Sequence, residues 1–188
     1  QNVFVDAEAG SVIRSVAATL AFGNQGAAGL SVAYNEIDGS VAAVVDGAKI
    51  TTARDLRVTG QSDSNILTIS IGIADGNKVG LAGSTANNLM GMDVGAQIRG
   101  GSDVIAGGNV LVDASNDDTA AVIAGAPGAG GSVAGIGISI VTNDISGDTT
   151  ALISENSIVD ARGAFAGIAV DSGKLANGYN VNRPDAPT

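Results

Sequence analysis

The phrase NVFVDA at residues 2–7 returns as NVLVDA at residues 109–114. A chain that writes one short strand-like phrase twice, about a hundred residues apart, is built from repeats, and repetition narrows the possible folds more than any single residue does. Around Val5, at the centre of that phrase, a series can be followed. LRVTG carries Val58, NVLVDAS carries Val112 and GIAVDSG carries Val170, so the successive intervals are 53, 54 and 58. A second series runs slightly upstream of the first: Ile50 in GAKI, Ile98 in GAQI and Ile158 in ENSI. A third consists of Asn35, Asn88 and Asn143, with intervals of 53 and 55. Three features recur in the same order at about the same period. The chain is therefore about three and a half copies of one repeating unit, the length of which is set by those intervals.

Within the unit the pattern is β. SNILTISIGI (64–73), SVAGIGISIVT (132–142), SVAAVVDGAKITT and TAAVIAG are β-branched runs bounded by Gly, Asn and Asp. DG at 38 and 46, DGN at 75, GG at 100, 107 and 130 and SGD at 146 read as turns. No segment keeps a helical apolar stripe that glycine does not interrupt. These signals predict an all-β chain, a parallel β-helix or β-solenoid, right-handed by the general bias of parallel crossovers. Strands of four to eight residues make each unit two or three coils of roughly 20 residues, hence about nine coils and a rod about 45 Å long. Valine, isoleucine and asparagine would then stack as internal ladders. Composition fits a narrow core: 28 glycines, no cysteine and only 3% aromatic residues, too little bulk to fill a globular centre of this size. Residues 1–174 are assigned to the solenoid. The polar stretch 175–188, with two of the three prolines, is assigned to a terminal cap or linker.

Charge excludes some partners. Nineteen acidic residues oppose nine basic ones, for a net charge of −10. The basic residues are scattered, so neither nucleic acid nor an anionic membrane is an expected partner. No apolar run reaches the length of a membrane span, and membrane insertion of this segment is not expected. Without cysteine or histidine there is no disulfide framework, no Cys or His nucleophile and no thiolate or imidazole metal site. Gln1 opens the chain with no basic-then-apolar leader. The expectation is a removed signal or a piece of a longer protein.

Candidate sites are few. Asp113, Asn116, Asp117 and Asp118 in DASNDDTA gather oxygen ligands of the kind calcium takes. TNDISGD (142–148) is a second cluster of the same kind; the alternative is a solvated turn, and the nonapeptide of calcium-binding β-rolls is absent. GAPGAGGSVAGIG (125–137) lacks the third glycine of a dinucleotide turn and runs into a strand. No pair of acids is singled out for glycoside chemistry. The threonine pairs at 51 and 149 do not recur at coil spacing. No cofactor and no catalytic residue is expected.

The phrases SVAAVVDGAKITTARDLRVTGQSD and DVGAQIRGGSDVIAGGNVLVDASND resemble the repeat regions of large bacterial exoproteins: filamentous-haemagglutinin-like two-partner secretion proteins, autotransporter passengers and beta strand repeat adhesins and leukotoxins. The likeness covers most of residues 30–173. It implies a right-handed β-helix, secretion to the bacterial cell surface and a structural or adhesive role, and it carries no catalytic residue. The functional expectation is a stalk or fibre segment whose partners are other copies, end to end, or a host or other cell-surface ligand. A self-assembling subunit of an extracellular filament is the first alternative, and a polysaccharide-active β-helix enzyme the second.

Overall fold

Long alternating strands, joined by short ones, build the chain. The computed structural model describes residues 1–154 and 156–167, and every structural statement below concerns these. Strand β1 (Val3–Gly23) turns at Asn24–Gln25 into β2 (Gly26–Asp46), a corner leads to the short β3 (Lys49–Thr52), and the path then repeats. The second circuit is β4 (Leu56–Gly76), β5 (Val79–Arg99) and β6 (Asp103–Ala106). The third is β7 (Val110–Gly125) with β8 (Gly128–Gly130), β9 (Ala134–Ser146) with β10 (Thr149–Ile153), and β11 (Ile158–Ala161). Pro127 has no N–H to donate, and the strand breaks there into β7 and β8.

Three parallel sheets result. In the first, β4 lies between β1 and β7, with β8 continuing on β4. In the second, β5 pairs with β2 on one side and with β9 and β10 on the other. The third is β3, β6 and β11. Register is continuous: Val3 pairs with Leu56 and Gly23 with Gly76, and Leu56 in turn pairs with Val110. The architecture is a β-solenoid of three stacked coils.

The expected coil size is corrected by this register. One repeating unit is one coil, not two or three. The three coils rise only about 14 Å, while each long strand runs roughly 70 Å. Several presumed turn signals are therefore strand interior. The DG at 38–39 lies within β2, and the Gly and Ser residues of SNILTISIGI lie within β4. Other signals are true corners: Gly47, Gly100 and Asn156 have φ of 58°, 68° and 58° at the bend between the second and third sheets. Only glycine, or asparagine at some cost, tolerates that conformation.

Side-chain size explains the shape of the coil. At the base, where the third sheet closes a triangle, Leu56, Val58, Ile98 and Val104 are fully buried, with Val45 and Ala96 beside them. Further out, Ile66, Met90, Met92 and Ile37 fill a narrower gap between the two long sheets. Beyond them the inward positions shrink to Ser70, Gly72 and Ala74 facing Ala82 and Ser84. A Cβ placed on Gly72 would collide with the backbone carbonyl of Gly83 on the facing sheet. The two sheets thus converge toward the hairpin turns, and the coil tapers from a packed base into a thin two-layer blade.

Candidate functional surfaces

The inward ladders come first, because they absorb most of the singled-out residues. Val5, Val58 and Val112 share one register position, with Val58 fully buried between its neighbours. Asn35, Asn88 and Asn143 stack likewise. The Asn35 amide donates to Asn88 Oδ1 at 2.8 Å, and the Asn88 amide donates to Asn143 Oδ1 at 2.9 Å. Thr68, on the facing sheet, joins them. It accepts from the Asn35 amide at 2.8 Å and donates to Asn88 Oδ1 at 2.8 Å, the two roles one hydroxyl can play together. Ser15 adds a longer bond to Thr68 at 3.4 Å.

A serine ladder runs beside the asparagines and was missed in the sequence. Ser31, Ser84 and Ser139 are in register. Ser84 donates to Ser139 at 3.0 Å, and Ser31 shares a 3.0 Å hydrogen bond with Ser70. The signal was present: each serine opens a short phrase that its asparagine closes, in SVAYN, STANN and SIVTN.

The isoleucine series does not stack. Ile50 pairs with Val104, which pairs with Val159. Ile98 belongs to the second sheet, between Val45 and Ile153. Ile158 pairs with Asp103. Its two intervals, 48 and 60, fail to match the coil length, so its members fall on different sheets or different register positions. Val170 and the stretch 175–188 lie outside the described residues.

The calcium set is also corrected. DASNDDTA is strand, in β7, and a strand sends alternate side chains to opposite faces. Asn116 and Asp118 pair with the inward Ser62 and Ser64, whereas Asp113 and Asp117 pair with the outward Thr59 and Asp63. Four ligands divided between two faces of a sheet cannot close one shell. The Asn116 amide instead donates to the Met92 carbonyl at 3.3 Å. Asp118 has both carboxylate oxygens enclosed with no hydrogen-bond partner. Among the described residues, no group of three or more acidic side chains is arranged to hold a metal.

Outer surfaces divide by charge. Near the base, ion pairs join successive coils: Lys49 to Asp103 at 3.3 Å and Arg99 to Asp46 at 3.0 Å. All are exposed and individually weak. An open acidic depression on the second sheet is lined by Asp38, Asp93 and Asp148 with Gly91, Ser146 and Gly147. Its Asp93 carboxylate accepts from the Asp148 backbone N–H at 2.9 Å. At the edge of the blade, Tyr34 donates to Glu36 at 2.9 Å, and this bond to a carboxylate holds the phenol above its ordinary pKa. Beyond Tyr34 the outer faces are apolar. Val16, Leu20 and Phe22 project from the first sheet, and Leu30, Val32 and Ile138 from the second, each 58–74% exposed.

The fold places the chain among parallel β-solenoids with one wide, tapering coil per repeat. Family models, curated proteins and solved structures were all compared with it, and none matches.

Proposed function

We propose that the chain is a structural or adhesive β-solenoid segment of a secreted bacterial surface protein, acting as stalk or fibre and not as an enzyme. One observation carries this reading. The polar side chains that recur with the repeat, Asn35, Asn88 and Asn143 with their serine neighbours, point inward and bond one coil to the next. What repeats in this chain therefore serves coil stacking. Stability in such an array is a sum over neighbouring coils, which suits a load-bearing spacer. The test is to display the chain between a surface anchor and a binding tag, and to incubate the purified chain with a panel of polysaccharides. The reading expects the tag to stay accessible at the end of the spacer and no polysaccharide to be shortened. Depolymerisation of any of them would overturn it in favour of an enzyme on the same scaffold.

A filament subunit is the second reading, and one observation favours it. β1 has no strand on its outer side among the described residues, and its NVFVDA phrase matches NVLVDA of the third coil. The first coil of one copy can meet the last coil of another as β7 meets β4, a head-to-tail contact that does not close. Negative-stain microscopy over a concentration series distinguishes the two. Filaments that lengthen with concentration support subunit assembly, and discrete particles throughout exclude it.

A further inference from the structure

The blade is built with its size classes inverted. Its inward positions are Gly72, Ala74, Ala82 and Ser84, while its outward positions carry isoleucine, leucine, valine and phenylalanine, with Gly83 and Thr85 of β5 between them on the second sheet. A two-layer sheet in water does the opposite, since burying large apolar groups is the main gain of folding. Both outer faces show the same inversion. On the first sheet, Val16, Leu20 and Phe22 of β1 stand beside Ile69 and Ile73 of β4 and Ile123 of β7. On the second, Leu30 and Val32 of β2 lie across β5 from Ile138 and Ile140 of β9. Phe22 pairs with Asp75 at the tip end of the first face, and inside that row and those of Arg14, Glu36 and Lys78 no charged residue falls. Arg14 and Glu36 bound them on the base side, and Asp75 and Lys78 at the tip.

We infer that these faces are a lateral self-association surface, and that the occupant is a second copy of this chain. The choice rests on what each neighbour would have to accept. Lipid would meet a tip bearing Asn24, Gln25, Asp75, Asn77 and Lys78, all exposed. Charged and amide side chains are costly to bury in hydrocarbon. A second blade laid face to face avoids that cost, because sheet-on-sheet packing leaves the tips in water. The charges of the −10 chain sit outside the apolar rows, so they do not oppose this contact at its centre.

Area sets the strength. Seven residues along three strands cover about 23 Å by 14 Å, on the order of 330 Å² per face. A stable pair needs about 800 Å² per partner. One face therefore supports weak association, and the two faces together extend it into a side-by-side array. This lateral contact is independent of the end-to-end contact considered above.

The test is sedimentation velocity of the whole chain over a concentration series, with Ile71→Lys and Ile138→Lys combined to place one charge on each face. Both side chains point outward, and far-UV circular dichroism checks that the sheets persist. Should that pair fail to fold, Val16→Ser with Leu20→Ser on the edge strand replaces it. The wild-type mass is expected to rise above 18.2 kDa with concentration, more strongly at high salt. The variant is expected to stay monomeric at concentrations where the wild type associates. Three results overturn the inference: a wild type monomeric at every concentration; association unchanged in the variant, which would place it at the strand edges; or co-flotation of a monomeric chain with phosphatidylcholine–phosphatidylglycerol vesicles, which would make lipid the occupant.

Discussion

Replacing Asn88 with alanine tests whether the amide ladder holds the coils together. Asn88 is fully buried in the middle coil. It accepts from the Asn35 amide and the Thr68 hydroxyl at 2.8 Å each and donates to Asn143 at 2.9 Å. Truncation removes three hydrogen bonds, two of them buried and the one to Asn143 half-buried. It also leaves the Thr68 hydroxyl proton and Asn143 Oδ1 without these partners. At about 1 kcal/mol per bond, with more where a buried group is orphaned, the loss is about 3–4 kcal/mol. Asn35→Ala is the internal comparison. It removes two bonds from the outer coil and leaves the bonds from Thr68 to Asn88 and from Asn88 to Asn143 intact, for a loss of about 2 kcal/mol. Urea unfolding followed by far-UV circular dichroism reads the difference. With a slope of about 2–3 kcal/mol per molar urea, Asn88→Ala lowers the midpoint by more than about 1 M and Asn35→Ala by less. Equal shifts, or a shift below about 0.3 M for Asn88→Ala, would refute the account of a ladder whose central rung matters most.

Two further outcomes follow from the same geometry. Gly72→Val forces a side chain into the Gly83 carbonyl, so thermal melting should show a loss of more than about 3 kcal/mol, whereas Thr85→Val, outward on the facing sheet, should shift the melt by less than about 0.5 kcal/mol. Asp118→Ser replaces an enclosed carboxylate lacking a partner with the residue type of Ser64 beneath it. Urea midpoints should rise by the equivalent of about 1–2 kcal/mol.

Repeat period and strand type were legible in the residues. The asparagine series, with intervals of 53 and 55, has the spacing of the coil, and its members bond to one another. The isoleucine series, with intervals of 48 and 60, does not, and its members part. Constancy of interval, more than identity of residue, marks a stacked position. Coil size was misread because glycine, serine and aspartate carry two meanings in a β chain. At Gly47 and Gly100 they are corners with positive φ, whereas at Gly60 and Gly72 they are extended strand whose missing side chain admits the opposite sheet. Nothing local separates the two cases. The acids of DASNDDTA were misplaced for the same reason, since a polar run read as a turn proved to alternate across a strand.

The sequence by itself determined the all-β character, the repeat period and the valine and asparagine positions that stack, because a period in one dimension forces equivalent residues into equivalent environments. Tertiary structure alone decided that each period closes a single coil, and that its outer half is a thin blade with small residues inside and large ones outside. That decision depends on which strand faces which across the core. A facing pair such as Gly72 and Gly83 is brought together by the hairpin between β4 and β5, and no pattern along either strand records it.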